Sequence, residues 1–256
     1  MASRTIENYL KQLWLLEHAV KKPASGSGRS AGNFVSMGRL AGSMGVTPGT
    51  TTTMVKAMAD AGLARYTPRA GVRLTRAGEK LALHVLRRHR LVELFLVEIL
   101  AIDWAHAHEE AEELEHVISD TVLLAIDRLL GHPSADPHGD PIPSDTGMPE
   151  VQNLSNLAEV KGDTEAVIVR IMDQSRDFLT FARQNGLVPR AAITIAQLNP
   201  GAGAMLVHPR GHSPVSISLA VAAKFMISTK GMEHSTAASS PAVGRKVART
   251  ATLKGR

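Results

Sequence analysis

The chain has 256 residues, 44% hydrophobic and 21% charged, a balance that suits a globular protein of about two domains and excludes a fibre, a collagen or a wholly disordered chain. It contains no cysteine, which excludes disulfide scaffolds, thiolate zinc fingers, iron–sulfur clusters and cysteine nucleophiles and leaves any metal to nitrogen and oxygen donors. The opening MASRTIENYL lacks the apolar core of a signal peptide, and no stretch approaches the roughly 18 apolar residues of a membrane span, so the expected location is the cytoplasm, with no membrane partner.

The formal charge of +5 is unevenly placed. Residues 1–80 carry 12 basic and 4 acidic side chains, and residues 81–130 carry 4 and 10. Residues 131–229 carry 7 and 9, and residues 230–256 carry 6 and 1. A basic N-terminal block fits a phosphate backbone, whereas an acidic block with histidines fits divalent cations.

Residues 5–21 space Ile6, Leu10, Leu13 and Trp14 as one amphipathic helix, followed by a Gly/Ser/Ala-rich loop over 22–33. Met37, Leu40 and Ala41 mark a second short helix. A third begins at Pro48, with Thr47 as its N-cap, and stops near Gly62. Two short helices across a glycine-containing turn, followed by two strands over Leu63–Thr75 around Pro-Arg-Ala-Gly, predict a winged helix-turn-helix. Its wing arginines, Arg65, Arg69 and Arg73, are expected on phosphates. Thr47, Pro48, Gly49, Thr50, Thr51 and Thr53, at the start of the recognition helix, are expected to face the major groove. Their short side chains reach phosphates and thymine methyls but make no bidentate base contact, so specificity should lean on DNA shape. The plainer reading is that some of these threonines pack inside the domain.

A long helix from Arg76 to about Leu100 and a second over roughly Ala105–Leu130 follow, then a Pro/Gly/Asp-dense loop at 131–150. Alternating apolar runs over 154–229 read as a small β-barrel, and the basic tail at 230–256 is expected to be disordered and to add sequence-independent affinity for DNA.

His108, Glu112, Glu115 and His116 fall at offsets 0, 4, 7 and 8, on one helix face, and His89 and Glu93 lie four apart on the preceding helix. Such pairs on neighbouring helices can converge on one or two cations, and imidazole with carboxylate suits manganese or iron while remaining open to zinc. The bland alternative is a solvated acidic face. His84, His106, His132 and His138 lack such partners in the sequence. No phosphate loop, dinucleotide fingerprint, nucleophile elbow or His-Glu-x-x-His helix is present.

A winged helix, then Arg-His89-Arg-Leu-Val-Glu93, then His108-x-x-x-Glu112-x-x-Glu115-His116-x-x-Ser-Asp, then His138-Gly-Asp-Pro-Ile-Pro143, resembles the diphtheria toxin repressor family of metal-dependent transcription regulators. Asn156 through Gly186-Leu-Val-Pro189 looks like that family's SH3-like third domain. The resemblance implies an α+β homodimer that binds a double-stranded operator and is not an enzyme. Its parts would be a winged helix-turn-helix domain at 1–75, a helical dimerisation and metal-binding domain at 76–140, a linker at 141–153 and an SH3-like β-barrel at 154–229.

It further implies one metal site at His89, Glu93 and His108 and a second at Asn8, Glu112, Glu115 and His116. Glu112 stands where iron-responsive members place cysteine and manganese transport regulators place glutamate, so Mn²⁺ is the expected co-repressor, with Fe²⁺ or Zn²⁺ as alternatives. Asn8 and Lys11 depart from the aspartate and glutamate of the manganese pattern. A metal-buffering protein or metallohydrolase built on the same helices is the alternative of a different class.

Overall fold

Capping at three helix starts lays out the N-terminal unit. In the computed structural model, residues 3–18, 34–144, 147–149 and 154–229 are described, so the expectations for the loop at 22–33, for part of the 141–153 linker and for the tail at 230–256 lie outside them. α1 (Arg4–His18) buries Tyr9, Leu10, Leu13 and Trp14. α2 (Met37–Met44) begins where the Ser36 hydroxyl accepts from the Arg39 N–H, and ends on Gly45 at φ +65°, a left-handed conformation that glycine adopts without strain. α3 (Pro48–Asp60) begins as its sequence predicts, with the Thr47 hydroxyl accepting from the Thr50 N–H and proline in the first turn. β1 (Ala64–Thr67) pairs antiparallel with β2 (Gly71–Leu74), Ala64 opposite Leu74, to form the wing. Leu10, Leu13, Leu40, Val55, Met58, Val72 and Leu86 close one core beneath these elements.

α4 (Arg76–Glu98) starts at Thr75, whose hydroxyl accepts from the Gly78 N–H. The single helix expected over Ala105–Leu130 is instead two, α5 (Trp104–Leu114) and α6 (Asp120–Leu129). The Ser119 hydroxyl accepts from the Val122 N–H and so restarts the helix. A serine N-cap followed by Asp120 in the first turn satisfies orphan donors that an uninterrupted helix would not have.

β3 (Ser155–Asn156), β4 (Thr164–Ile171), β5 (Ala192–Asn199), β6 (Ala204–Pro209), β7 (Val215–Ser218) and β8 (Phe225–Ser228) form one antiparallel sheet in the order β3-β8-β4-β5-β6-β7. Two helices interrupt the predicted run of strands, α7 (Arg176–Gln184) and the short α8 (Leu219–Ala222). α7 buries Phe178, Leu179 and Ala182 against the sheet, a helical spacing that the strand-to-strand reading passes over. Trp104 and Ala105 from the start of α5 belong to the same apolar cluster, so helices and sheet share a core. Among the described residues no helix is long and apolar enough to cross a membrane.

The segment after α6 is tied to both neighbours. Arg90 on α4 donates to the Pro141 carbonyl at 2.5 Å and Arg87 to the Pro143 carbonyl at 2.6 Å, while the Ile171 N–H at the end of β4 donates to the His138 carbonyl at 2.9 Å. Gly139, at φ +86°, lets this loop touch β4. A Cβ there would stand 1.9 Å from the Val169 carbonyl oxygen, which is backbone and has nowhere to go. Gly139→Ala is therefore expected to destabilise the protein by roughly 1–3 kcal/mol, whereas Gly42→Ala, inside α2 with open space around its Cβ, should be neutral or stabilising. Thermal unfolding of the two variants checks the contrast.

Candidate metal centre and DNA-facing surface

The turn spacing of α4 stacks His89 over Glu93, and α5 brings His108 opposite them. His89 Nε2 lies 3.1 Å from His108 Nδ1 and 3.9 Å from Glu93 Oε1, and His108 Nδ1 lies 3.3 Å from the same carboxylate oxygen. One potential ligand atom from each of the three residues falls within 4.8 Å of the others. His89 and Glu93 are buried and His108 is half-exposed, so the group is open on one side.

Two further residues join Glu93 from the loop after α6. Asp136, His138 and Glu93 form a second group within the same distance, all three buried. His138 Nδ1 is 3.6 Å from Glu93 Oε2, an ion-pair separation longer than a hydrogen bond, and both ring nitrogens of this fully buried imidazole lack hydrogen-bond partners. An unpartnered buried imidazole beside two carboxylates is the donor set a divalent cation takes. His138 is the residue that helical spacing misses, because it reaches Glu93 from a loop. The only local signal for it is the His-Gly-Asp-Pro-Ile-Pro run in which it stands. Its ring stacks on Trp104 with centroids 5.4 Å apart, and the Asp136 carboxylate accepts from the His138 and Asp140 N–H groups, which holds the loop in shape.

The residues of the second expected site meet differently. Glu112 and Glu115 do come together, and with His89 they form a third group at ligand spacing. The Lys11 ammonium from α1, however, is hydrogen-bonded to Glu112 Oε1 at 2.7 Å and to both Glu115 oxygens at 2.8 and 2.9 Å. His116 Nδ1 pairs with Glu7 at 2.7 Å, leaving Nε2 buried, 3.2 Å from Glu115 Oε1 and without an aligned partner. Asn8 is half-buried, with an amide oxygen that has no hydrogen-bond partner. Glu7 is absent from the sequence-derived set. It stands next to Asn8, and which of the two turns toward His116 depends on how α1 is rotated against α5.

Charges follow this geometry. Burial opposes ionisation of Glu93, but the contacts from His108 and His138 and the charge of His89 outweigh it and hold this carboxyl far below the usual range. The bond to Glu93 raises His108 above the ordinary imidazole value. Burial, with Asp140 and Glu93 nearby, drives Asp136 well above the carboxylate range. For Glu115, burial is again outweighed, here by the bond and charge of His89 and by Lys11.

In the N-terminal unit, Thr47, Pro48, Gly49, Thr50 and Thr53 are exposed, as are Arg65 and Arg69. Arg73 is half-buried, with its guanidinium 5.2 Å from the centre of the Phe34 ring. Thr51 is a correction. It is fully buried and its hydroxyl donates to the Thr47 carbonyl, because the fourth position of this cap turn faces the three-helix core and not a groove. The hydroxyls of Thr52 and Thr53 likewise donate to carbonyls one turn back, at Pro48 and Gly49. In the sheet region, Asp173 binds Lys224 and the Ser175 N–H, and Gln174 donates to Asp140.

A helix-turn-helix with a wing, joined to helices that converge histidines and carboxylates, makes the class a DNA-binding regulator that responds to metal. The descriptions "Iron dependent repressor, N-terminal DNA binding domain" and "Iron dependent repressor, metal binding and dimerisation domain" match residues 1–72 and 75–144. The iron-dependent repressor IdeR of Mycobacterium tuberculosis is 32% identical over 225 residues, which are 83% of this chain and 92% of that protein. The diphtheria toxin repressor of Corynebacterium efficiens is 36% identical over 101 residues, 39% of this chain and 44% of that protein. A solved manganese-dependent transcriptional repressor in complex with manganese superposes with a TM-score of 0.76 at 29% identity, covering 88% of this chain and all of that one. The chain belongs to the diphtheria toxin repressor family of iron- or manganese-dependent transcriptional repressors, which bind DNA, dimerise and are not enzymes. The metallohydrolase alternative falls with that assignment.

The Glu93–His108 pair gives the metal-free protein a pH signature. A depressed carboxyl contributes stability above its unfolded pKa of about 4.5, lost as pH falls through the folded value. A raised imidazole contributes stability below its unfolded pKa of about 6.5, lost as pH rises through the folded value. The difference in melting temperature between metal-free wild type and His108→Gln is expected to be largest between pH 4.5 and 6.5 and to shrink on the alkaline side.

Proposed function

We propose that the chain is a manganese-responsive, homodimeric repressor of metal-transport genes that takes Mn²⁺ as its co-repressor. The observation that carries this reading is the convergence of His89, Glu93 and His108 at ligand spacing, with His138 and Asp136 behind them, where the DNA-binding unit meets the helical region. Every donor is nitrogen or oxygen. Glu112, whose Oε1 is 3.8 Å from His108 Nε2 and 2.7 Å from the Lys11 ammonium, stands at the rim as a hard carboxylate already paired with a cation. A divalent ion held there adds positive charge among carboxylates that are otherwise balanced by imidazoles, by Lys11 and, at Asp136, by Arg90 at 3.7 Å.

The residues of this chain convert that charge into orientation. α1 belongs to the DNA-binding core through Leu10 and Leu13, and it reaches α5 through Lys11 and the following turn through Glu7. An ion at Glu93, acting beside the Lys11 ammonium that holds Glu112 and Glu115, narrows the angles at which the winged helices stand, so a dimer spans two half-sites more often. In each winged helix, Arg65 and Arg69 offer phosphate contacts and the exposed threonines at the start of α3 offer methyl groups to base edges.

The iron-dependent relatives favour Fe²⁺ as the second reading. Affinity for a duplex from the region upstream of the chain's own gene, measured against free Mn²⁺, Fe²⁺ and Zn²⁺, separates the two. Wild type should respond best to Mn²⁺, His89→Ala should lose metal-activated binding, and Glu112→Cys should shift activation toward Fe²⁺ or Zn²⁺. Equal DNA affinity with and without every metal sinks the proposal. In the same assay Thr50→Ala and Thr53→Ala should each weaken binding by about fivefold or less at unchanged melting temperature, whereas Thr51→Ala should lower the melting temperature.

A further inference from the structure

α1 carries Arg4, Glu7 and Lys11 at intervals of three and four residues, hence on one face, and all three are engaged by α5 or the turn that ends it. Arg4 pairs with Glu113 at 2.6 Å in solvent, and Glu7 holds His116 Nδ1 at 2.7 Å. Lys11 is the buried member, 7% exposed, and its partner Glu115 is completely enclosed. An ammonium has three N–H donors, and here there are three acceptors, Glu112 Oε1 and both oxygens of Glu115, between 2.7 and 2.9 Å. The hydrogen-bonding capacity of the lysine is therefore filled, and both carboxylates already have a cation.

We infer that the Lys11 ammonium is a built-in cation that takes the place of a divalent ion at Glu112 and Glu115. His89, Glu112 and Glu115 have the spacing of a metal site, yet an ion could bind both carboxylates only by expelling a buried, fully bonded ammonium. The His89–Glu93–His108 and Glu93–Asp136–His138 groups contain no such lysine, and those are the groups left to exchangeable metal. Because the built-in cation sits on α1, it also ties the DNA-binding unit to α5 when no metal is bound. The consequence is a repressor with one ion fewer per protomer and a measurable metal-free affinity for DNA, on which metal builds.

This inference rests on the metal-dependent repressor reading for its DNA readout, but its stoichiometry does not. Mn²⁺ bound per protomer is measured by equilibrium dialysis for the full chain and for Lys11→Met, which keeps an apolar stem and removes the charge. Lys11→Met is expected to bind one additional Mn²⁺. Its metal-free affinity for the upstream duplex is expected to fall by roughly 5- to 150-fold, the usual range of coupling between sites, and saturating Mn²⁺ should recover it. Equal stoichiometry, or unchanged metal-free affinity, overturns the inference.

A second measurement needs no variant and decides the matter should Lys11→Met fail to fold. Wild type is treated with an amine-reactive ester and the Lys11 peptide is quantified by mass spectrometry. Protection of Lys11 both without metal and at saturating Mn²⁺ is expected. Labelling in either state, and above all labelling induced by Mn²⁺, means that the ion displaces the lysine and overturns the inference. If wild type shows no metal response on DNA while Lys11→Met acquires one, the built-in cation stands and it is the metal-responsive reading of the wild type that fails.

Discussion

Two carboxylates closed off from water, Glu93 on α4 and Glu115 at the end of α5, impose the constraint around which the helical region is arranged. An ionised carboxylate in such a place is costly unless cations or donors surround it. His89 lies between the two, with Nδ1 2.7 Å from Glu115 and Nε2 3.9 Å from Glu93. The remaining compensation comes from three separate parts of the chain: His108 on α5, His138 from the loop after α6, and Lys11 on α1. The need to balance two buried charges thus draws α1, α4, α5 and the loop after α6 to one place.

That convergence links the helical region to the winged-helix unit through α1. α1 is shared property. Its apolar face closes the core of the winged-helix unit and its charged face meets α5. Buried ion pairs contribute little net stability against an apolar alternative, yet breaking one partner of such a pair is expensive, so they act more on geometry than on total stability. Where a protein has more than one arrangement of such charges, each arrangement differs in its affinity for added cations. Changing the local cation content shifts the populations of those arrangements by the difference in affinity between them, and by nothing else.

The sheet is drawn into the same arrangement by polar contacts of its own. The His138 carbonyl accepts from the Ile171 N–H, Asp140 is bound by Arg170 and Gln174, and Arg90 on α4 holds the Pro141 carbonyl. Gly139 permits the close approach. The imidazole of His138 therefore reaches Glu93 from a loop whose backbone is anchored on β4, and the shared cluster of Trp104 with the sheet residues reinforces the contact.

Local pattern was enough to read much of this molecule. The Thr47–Pro48 helix start, the wing between Leu63 and Thr75 and the one-turn spacing of His89 with Glu93 are properties of neighbours in sequence, and capping and periodicity act over that range. The resemblance to known regulators added the order of the parts. The break at Ser119, the helix at Arg176–Gln184 and the burial of Thr51 were also local in origin but ambiguous, because a serine, an amphipathic run or a threonine near a cap fits two structures until packing chooses one. What only the tertiary structure decided is which charges meet. Lys11 finds Glu112 and Glu115 across 101 and 104 residues, Glu7 finds His116 across 109, and His138 finds Glu93 from a loop. Composition and spacing determine which side chains a helix can offer on one face; the rotation and distance at which that face meets another helix come from packing the cores on either side, and those set whether a carboxylate meets a histidine, a metal or a lysine.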